Sequence, residues 1–386
     1  MVPHERVSPS PRSDTNAKRI LLIQSGSFSL INASILSALT RQYPSLEIDV
    51  IDIVKEFETV KWRKIAALPH LLLERGPQAF VSSRAIRFHT VRSAWYVGIV
   101  REIVERRRGN APILFTLQTQ SLCDASLDDV PHCIYTDFAA LGRRWSSWRA
   151  DDPPPHPRWL ALERQFYERA DRVFTFGSRV RDLIAHEYGA GAEKVRCVGA
   201  GPNAEIRRDR SNVRPRSILF IGVEWERKGG PELVEAFGRV RAALPDATLT
   251  IVGCAPRVSG PGIEVVGRQP PAKISDFFAR AACFCMPSRL EPFGIVYVEA
   301  LHAGTAIVAS DCGDQRDVVR DGENGFVVPV GDVAALAEAL IDVLADPERS
   351  AAMGAASAAL APHFTWDATV KRIVSEMAEV LPVAVR

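Results

Sequence analysis

The sequence predicts an α/β fold of two doubly wound parallel sheets, and three observations support that prediction. The chain of 386 residues is longer than one ordinary hydrophobic core accommodates and suits two domains. Short apolar runs alternate with amphipathic helical patterns, which is typical of a parallel sheet covered by helices on both faces. This alternation begins again after a turn-rich and Arg-rich stretch at 199–216.

Each half of the chain has its own set of alternating elements. In the first half the predicted strands are 18–24, 46–53, 111–117, 133–136 and 172–176, and the predicted helices are 30–41, 159–169 and 179–188. In the second half the predicted strands are 217–222, 247–253, 263–267, 283–286 and 306–310, and the predicted helices are 231–244, 274–282, one from about 294, and 333–345. Two such sheets leave a cleft at the carboxyl ends of their strands, where ligands bind.

Turn and charge patterns divide the chain into four predicted segments. Residues 1–17 are polar and rich in Pro and Ser, which is typical of a disordered lead. The predicted N-terminal domain is 18–203 and the predicted C-terminal domain is 204–365, because a Gly-rich turn and an Arg-rich run meet at this point. A last helical segment follows at 366–386, and the Pro-rich run at 151–157 is predicted to be a loop.

The composition argues against several classes of protein. Hydrophobic residues make up 47% and charged residues 24% of the chain, which is globular composition, and a net charge of +2 gives no sign of nucleic-acid binding. No apolar run reaches the ~20 residues of a membrane span, and the N-terminus lacks the apolar segment of a signal peptide. The seven cysteines mostly lie beside apolar runs. This favours buried free thiols in a cytoplasmic protein and predicts no metal site.

One stretch of the first half is strongly basic. Residues 61–108 contain 11 Lys and Arg but only three Glu, together with Trp62, Trp95 and Tyr96. Basic residues mixed with aromatic and aliphatic ones are typical of a surface that lies on an anionic membrane, here on the inner face. The same stretch could instead receive an anionic acceptor, or be an ordinary solvated helical face. The sequence leaves these three interpretations open.

The most informative segment of the chain is 286–300. A predicted strand ends near Met286, Glu291 lies in the turn that follows, and Phe293 and Gly294 lead into a helix that contains Glu299. Free N–H groups at the start of a helix form an anion site, and a glycine lets a ligand approach the backbone closely. On spacing alone, a Glu pair of this kind is better interpreted as a solvated pair beside a helix cap. The neighbouring residues favour a binding site.

The run Glu291-Pro-Phe-Gly-Ile-Val-Tyr-Val-Glu299-Ala resembles the Glu-x7-Glu signature of the family 4 glycosyltransferases. Phe220-Ile-Gly222 followed by Glu226-Arg-Lys-Gly229 resembles the family's Gly-rich turn with its phosphate-binding Lys. Three further segments, 250–253, 304–310 and 321–329, fall in the family's order. The resemblance covers nearly all of 217–345 and implies the GT-B fold. In that fold two Rossmann-like domains face a central cleft and the C-terminal helix crosses back to the first domain.

The resemblance implies a role for each residue that matches the family's motifs. Glu291 would contact hydroxyls of the donor sugar, Glu299 would contact the ribose hydroxyls, and Lys228 would pair with the departing diphosphate. The backbone amides of three residues would hold the distal phosphate: Phe293, Gly294 and Ile295. Fixed cations and helix N–H groups suit this chemistry, because breaking a glycosyl–phosphate bond develops negative charge on the diphosphate.

Other donor contacts are implied by the neighbouring loops. Gly222 lies in the Gly-rich turn, Val266 and Arg268 lie in the loop that receives the base, and Gly26 lies in a loop of the first half that resembles the family's flexible Gly loop. Many members of the family carry Arg directly after the Gly of this turn, where this chain has Val223. We expect Arg227 to supply the missing guanidinium, whose planar fork suits a phosphate.

The acceptor side rests on Asp137. The segment Tyr135-Thr-Asp137-Phe resembles the strand end where many family members place a His-Asp pair, and here Thr136 occupies the His position. Asp137 could orient the sugar or the acceptor, or it could cap the next element. Ser178 resembles the family's strand–Ser–helix step and is expected to cap a helix. Trp366 is expected to anchor the last helix on the first domain, and no role is assigned to Asp317.

The resemblance thus implies a retaining hexosyltransferase. It would move a hexose-type sugar from a nucleoside-diphosphate sugar, UDP being favoured over GDP, to a hydroxyl acceptor of unknown type. No cofactor and no metal ion are expected, and attack on the same face as departure is expected because no enzymic nucleophile stands out. Two alternatives remain: a GT-B nucleotide-sugar epimerase, and a catalytically inactive protein that binds nucleotide sugars.

Overall fold

The computed structural model describes residues 18–26, 30–60, 62–146, 148 and 154–381. These residues form two parallel six-stranded sheets flanked by helices. The prediction of two doubly wound α/β domains is therefore confirmed. The predicted lead at 1–17, Ser27 of the Gly loop and residues 151–153 of the predicted Pro-rich loop lie outside the described residues. The predicted domain boundaries stay a prediction, although the 203/204 break falls between the two sheets.

The first sheet has the strand order β2-β1-β3-β4-β5-β6. Its strands are β1 (Arg19–Gln24), β2 (Glu47–Asp52), β3 (Ile113–Thr119), β4 (His132–Thr136), β5 (Arg172–Thr175) and β6 (Val195–Cys197). Its helices are α1 (Ile31–Gln42), α2 (Ile53–Glu58), α3 (Trp62–Arg75), α4 (Ser83–Thr90), α5 (Ala94–Arg107), α6 (Pro157–Arg169) and α7 (Ser178–Asp182), and a π-type turn continues α7 over Leu183–Glu187. Short 3₁₀ turns lie at Pro77–Phe80 and Ala140–Trp145.

The second sheet has the order β12-β11-β10-β7-β8-β9. Its strands are β7 (Ser217–Ile221), β8 (Thr248–Val252), β9 (Ile263–Gly267), β10 (Cys283–Met286), β11 (Ala306–Ser310) and β12 (Gly325–Val328). Its helices are α8 (Gly230–Ala243), α9 (Pro271–Phe278), α10 (Ile295–Ala303), α11 (Gln315–Val318), α12 (Val333–Ala345) and α13 (Pro347–Leu360). A 3₁₀ turn at Ala361–His363 leads to the last helix, α14 (Trp366–Val380).

Helix α14 returns to the first sheet, as the fold class predicted. It packs against α1, and an ion pair between Arg41 and Asp367 joins the two helices. The indole N–H of Trp366 donates to the carbonyl of Pro202 at 2.7 Å. A Cβ on Gly201 would lie 2.4 Å from the backbone nitrogen of Trp366, so only glycine fits against this helix start.

Most predicted strands agree with the structure because they are buried on both faces and therefore read as continuous apolar runs. All four residues of β10 are buried, and Cys283 and Cys285 point to one face of it. Six of the seven cysteines are buried free thiols, while Cys197 is exposed. Burial raises the pKa of the Cys283 thiol. No helix among the described residues has the length and apolar content to cross a membrane.

The structure differs from the predicted elements in a few places. The helix predicted at 274–282 lies at Pro271–Phe278, because Pro271 occupies a first-turn position where its fixed φ starts the helix. Strands β6 and β12 and helix α13 were not predicted. Helix α2 was not predicted, and helices α3 to α5 were not predicted individually, since the 61–108 stretch has no simple apolar period.

Candidate active site

The strand order of the second sheet brings two loops together. The chain runs outward through β7, β8 and β9 and then returns to β10, which pairs with β7. The loops that follow β7 and β10 therefore meet at the carboxyl edge, at the point where the strand order reverses. Open α/β sheets bind their ligands at such points. The first loop carries Arg227 and Lys228, and the second carries Glu291.

These three charged side chains converge. The Lys228 ammonium forms an ion pair with the Glu291 carboxylate, and Nη1 of Arg227 lies 3.6 Å from Oε2 of Glu291. Arg227 also donates from Nη1 to the carbonyl of Leu290 at 2.7 Å and from Nε to Glu224 at 2.6 Å. All three members are largely buried, with side-chain exposures of 20% for Arg227, 13% for Lys228 and 10% for Glu291. Two cations thus share one carboxylate at the edge of the sheet.

Helix α10 begins beside this cluster. Gly294 precedes it with φ of 85°, and a Cβ there would lie 2.6 Å from the Tyr297 ring. Phe293 is buried and its ring contacts Phe176 of the first domain, with centroids 5.7 Å apart. Ile295 is the first helical residue. The free N–H groups of this first turn and the helix dipole make the position suitable for an anion.

Close backbone approaches fix the loop that carries Glu291. The Gln315 amide donates to the carbonyl of Glu291 at 2.7 Å, and a Cβ on Gly313 would lie 2.2 Å from that same carbonyl oxygen. In the neighbouring turn, a Cβ on Gly222 would lie 3.1 Å from Cγ of Lys228. Gly222 therefore leaves room for the lysine stem. Gln315 and Gly313 were missed from the sequence, because nothing in their spacing points to the 291 loop.

Glu299 lies one turn into α10, away from the cation cluster. Its Oε1 accepts hydrogen bonds from the backbone N–H groups of Asn203 and Ala204, at 3.3 and 3.1 Å. Burial raises the pKa of Glu299 to about 7. This carboxylate therefore holds the segment that joins the two halves, and its Oε2 accepts no hydrogen bond from the residues that the structure describes.

Asp137 faces Glu291 across the cleft. It follows β4 directly and is half-buried. Burial, and next the Glu291 carboxylate, raise the pKa of Asp137 to about 7. Thr136, in the position of the family's His, donates from its hydroxyl to the carbonyl of Phe138 at 2.9 Å and so supports the loop backbone. A carboxylate from the first domain and one from the second are thereby brought together.

The remaining predicted residues lie at other carboxyl ends of the two sheets. Gly26 follows β1 with φ of 69°, and its N–H donates to Oδ1 of Asp52 at 3.2 Å. Val266 is part of β9 and is half-buried, and Arg268 follows it at the surface. Val223 has 60% of its surface exposed, beside the turn that carries the cations. Gly26 thus lies at the carboxyl edge of the first sheet and the other three at that of the second, and within the described part of the chain none of the four forms a hydrogen bond or ion pair with Lys228 or Glu291.

Helix α7 of the first domain is capped by carboxylates from the second. Asp317 accepts from the hydroxyl of Ser178 at 2.7 Å and also from its backbone N–H. Asp314 accepts from the backbone N–H groups of Arg179 and Val180 at 2.6 and 3.3 Å. Burial, and next Asp317, raise the pKa of Asp314 to about 8. The expectation that Ser178 caps its own helix is wrong, because a second-domain carboxylate takes that place.

The loop after Asp137 rests on a second buried acid that was also missed. Both carboxylate oxygens of Glu163 accept from the backbone N–H of Ala140 at 3.1 Å. The hydroxyls of Tyr167 and Tyr188 also donate to Glu163. Burial raises the pKa of Glu163 to about 7. Among the described residues, no group of three or more His, Cys, Asp or Glu is arranged to hold a metal ion.

Known proteins resemble this chain in sequence over part of its length. Residues 203–359 match the family described as glycosyl transferases group 1. The D-inositol 3-phosphate glycosyltransferase of Streptomyces scabiei is 32% identical over 252 residues, which are 56% of this chain and 56% of that protein. The chain therefore aligns with little more than half the length of this relative.

Two solved structures share the whole fold. Sucrose-phosphate synthase from Thermosynechococcus elongatus superposes with a TM-score of 0.68 at 17% identity, covering 94% of this chain and 99% of that one. HepE of Anabaena, solved in complex with UDP and glucose, superposes with a TM-score of 0.60 at 17% identity, covering 94% and 100%.

The two facing sheets, the returning helix and the convergent site at the strand-order reversal define a protein of the GT-B class. The sequence match specifies the second domain, because residues 203–359 match the glycosyl transferases group 1. The chain is similar over part of its length to glycosyltransferases of that type.

Proposed function

We propose that this protein transfers a hexose-type sugar from a nucleoside-diphosphate sugar to a hydroxyl acceptor, with retention of configuration and without a metal ion. The observation that supports this most directly is the convergence of Arg227, Lys228 and Glu291 at the start of α10. Cations and helix N–H groups on one side of a carboxylate suit a ligand that has a phosphate at one end and hydroxyls at the other.

Donor binding would exchange the partners in this cluster. The diphosphate takes the place of Glu291 beside Lys228 and Arg227, and its distal phosphate accepts from the amides of Phe293, Gly294 and Ile295. The Glu291 carboxylate is released to accept hydrogen bonds from the sugar hydroxyls. Glu299 lies further along α10, and its Oε2 is the acceptor for the ribose hydroxyls.

Bond cleavage would leave negative charge on the diphosphate, where Lys228, Arg227 and the α10 amides stabilise it without reorganisation. The acceptor oxygen attacks the anomeric carbon from the face that the phosphate leaves, and the leaving phosphate oxygen takes the acceptor proton. Asp137 lies across the cleft from Glu291 and orients the sugar or the acceptor hydroxyl. Positive charge from side chains and backbone removes the need for a metal ion.

We propose UDP rather than GDP as the nucleotide carrier. HepE, which shares the fold over nearly its whole length, was solved with UDP bound. In this chain Val266 and Arg268 end β9 at the edge where the base would lie. The acceptor is a hydroxyl compound, and peripheral contact of the 61–108 stretch with an anionic membrane is proposed as part of the same function.

Ligand-dependent thermal unfolding with UDP, GDP and their sugars tests donor binding. A ligand at 100 times its dissociation constant stabilises the folded state by ~2.7 kcal/mol, and the UDP compounds should raise the unfolding temperature most. Lys228→Ala should abolish this stabilisation, while Lys273→Ala, an exposed lysine of α9, should leave it intact. No stabilisation by any of these compounds would refute the proposal.

Product analysis separates transfer from the two alternative functions. Sugar released or isomerised in the absence of any acceptor would indicate an epimerase, and binding with no turnover on any acceptor would indicate an inactive binding protein. Turnover that survives a chelator, with the anomeric configuration of the product preserved, is the expected result.

A further inference from the structure

Helix α3 presents apolar side chains to the outside. Five of them are exposed: Trp62, Ile65, Leu68, Leu72 and Leu73 have 61, 70, 37, 54 and 81% of their surface exposed. The inward face buries Ala67 and Leu71 and also holds two arginines, Arg63 and Arg75, which are only 2 and 4% exposed. A helix on the surface of a soluble domain normally places its apolar stripe against the core. The outward apolar residues of α3 therefore have a use outside the domain.

The buried arginines show that this orientation is specific. Arg63 pairs with Glu102 of α5 at 3.2 Å and donates to the carbonyl of Glu56 at 3.5 Å. Arg75 donates to the carbonyl of Arg92. Rotating the helix to bury its leucines would break these contacts. The α3 surface, which we define as the five outward residues of α3 with Val81 and Phe88, is thus held facing outward.

The segment that carries the α3 surface is rich in basic residues. Residues 61–92 contain seven Lys and Arg and a single acid, Glu74, although Arg63 and Arg75 of these seven are buried on the inward face. Glu74 is already engaged, because its carboxylate accepts from the backbone N–H of Ala94 at 3.1 Å. Arg84 and Arg87 of α4 are exposed. An apolar face bordered by arginines is complementary to the acyl and headgroup layers of an anionic bilayer.

The α3 surface adjoins the mouth of the cleft. Glu74, near the end of α3, contacts the first residue of α5, and its carbonyl accepts from Arg158 at the start of α6 at 3.1 Å. Helices α5 and α6 lead into β3 and β5, so both begin at the carboxyl edge of the first sheet. That edge carries Asp137, on the acceptor side of the site.

We propose that the α3 surface docks on an anionic lipid bilayer, with Trp62 and the leucines at the boundary between headgroups and acyl chains and with Arg84 and Arg87 on anionic headgroups. The docking itself does not depend on the proposed function. Only the statement that the acceptor side of the cleft lies beside the membrane rests on it. A hydroxyl acceptor carried by a membrane amphiphile would then reach Asp137 without leaving the bilayer.

Flotation with vesicles tests the docking. The whole protein should float with phosphatidylcholine vesicles that contain about 30% phosphatidylglycerol and much less with phosphatidylcholine alone, because each basic residue near an anionic surface contributes about a fivefold gain in partitioning. Arg84→Ala with Arg87→Ala should weaken flotation about 25-fold. The matched pair Arg239→Ala with Arg320→Ala, on the second domain, should not change it.

A second variant tests the apolar part. Leu72→Gln with Leu73→Gln changes two exposed side chains, so the fold should survive and the stabilisation by UDP compounds should be unchanged, while flotation is lost. If the wild-type protein binds UDP compounds but does not float with the anionic vesicles, the docking proposal is overturned and the proposed function is not. If the wild-type protein floats but binds no UDP compound, the proposed function is overturned and the docking is not. If the wild type is a stable dimer and the variant with Leu72→Gln and Leu73→Gln is a monomer, a second copy of the chain covers this face. That result would also overturn the docking proposal.

Discussion

At the scale of single residues, Arg227 brings a guanidinium to the turn in which Val223 stands where many members of the family have Arg. Its guanidinium reaches the Glu291 loop through a 2.7 Å hydrogen bond to the carbonyl of Leu290. The sequence comparison with the family suggested this substitution, and the geometry puts the guanidinium beside Lys228. Arg227 is therefore expected to act on the donor phosphate rather than only to fix the loop.

Removing this guanidinium should weaken turnover. Arg227→Ala is expected to lower kcat/KM about 10- to 100-fold, because a hydrogen bond to a charged group contributes about 1.5–3 kcal/mol. Arg227→Lys should restore only part of the loss, since an ammonium lacks the planar fork. Arg239→Ala, on the exposed side of α8, is the control and should retain wild-type kinetics. Unchanged kcat/KM in Arg227→Ala would contradict the assignment.

Asp137 should make turnover depend on pH near neutrality. Because its pKa is raised to about 7, the carboxylate form that accepts a hydrogen bond from a hydroxyl, and so orients it, becomes dominant only above that pH. Turnover is therefore expected to rise as the pH increases through about 7, and Asp137→Asn should give a lower rate without that rise. The measurement is kcat/KM between about pH 5.5 and 8.5, a window of about 1.5 units on each side of the pKa. A rise that persists in Asp137→Asn would assign the titration to another group.

At this scale, the sequence predicted those site residues that lie close to one another along the chain. Glu291, Gly294 and Glu299 lie within one short segment, so spacing and neighbouring residues pointed to them together. Asp314 and Glu163 act on backbone N–H groups 135 and 23 residues away. No periodicity in a single sequence links such partners, and they became visible only in the folded chain.

At the scale of elements, the start of α10 is a turn that only glycine fits without a shift of its neighbours. Gly294 has φ of 85° and a Cβ there would lie 2.6 Å from the Tyr297 ring, whereas Gly322 has φ of 78° with open space around it. The two glycines thus share a backbone conformation but differ in their surroundings.

Alanine substitutions should separate these two effects. Gly322→Ala is expected to destabilise the protein by about 1–2 kcal/mol, the cost of the left-handed conformation alone. Gly294→Ala should destabilise it by at least about 3 kcal/mol, because the Tyr297 ring must also move. Denaturant unfolding of the two variants gives the comparison. Equal losses of unfolding free energy in the two variants would mean that the Tyr297 ring moves at no measurable cost.

The elements also show why some patterns could not be interpreted from the sequence. Strands such as β10 are buried on both faces, so their apolar runs were recognisable. Helix α3 buries Arg63 and exposes Leu72 and Leu73, which reverses the rule that apolar periodicity marks the core side. Its basic and apolar composition was evident, but the face that each residue occupies depended on the partners of the buried arginines.

At the scale of the whole molecule, four carboxyl groups have raised pKa values, and two of them, Glu299 and Asp314, also bond to the joining segment or to the other half. Burial contributes most at each of them, and the values are about 7 for Asp137, Glu163 and Glu299 and about 8 for Asp314. A carboxyl whose pKa is higher in the folded than in the unfolded chain binds protons more tightly when folded. Its contribution to stability is complete below about pH 4 and is lost as the pH rises to about 8.

Unfolding free energy should therefore decrease as the pH rises from about 5 to about 8. Asp314→Asn should reduce this decrease, because the amide oxygen still accepts from Arg179 and Val180 while the titrating proton is gone. Urea unfolding of both proteins at several pH values in this range is the measurement. If the wild type and Asp314→Asn show parallel pH profiles, Asp314 does not carry the effect.

The overall architecture was the part best predicted from the sequence, because the alternation of strands and helices restarts once and each run has a length typical of its element. The contacts between the halves were not predictable. The capping of α7 by Asp314 and Asp317 depends on how the two sheets face each other, which is a property of the assembled chain.

The return of α14 gives the molecule two covalent crossings between its halves, and the two crossings lie side by side. One passes through Gly201 and Pro202 and the other enters Trp366, whose indole N–H is bonded to the Pro202 carbonyl. Because the two crossings are adjacent, we expect the halves to rotate about the single axis that passes through both, and to resist sliding or twisting. Rotation that opens the cleft would separate Ser178 from Asp317, so the hydrogen bonds between these residues would favour the closed arrangement.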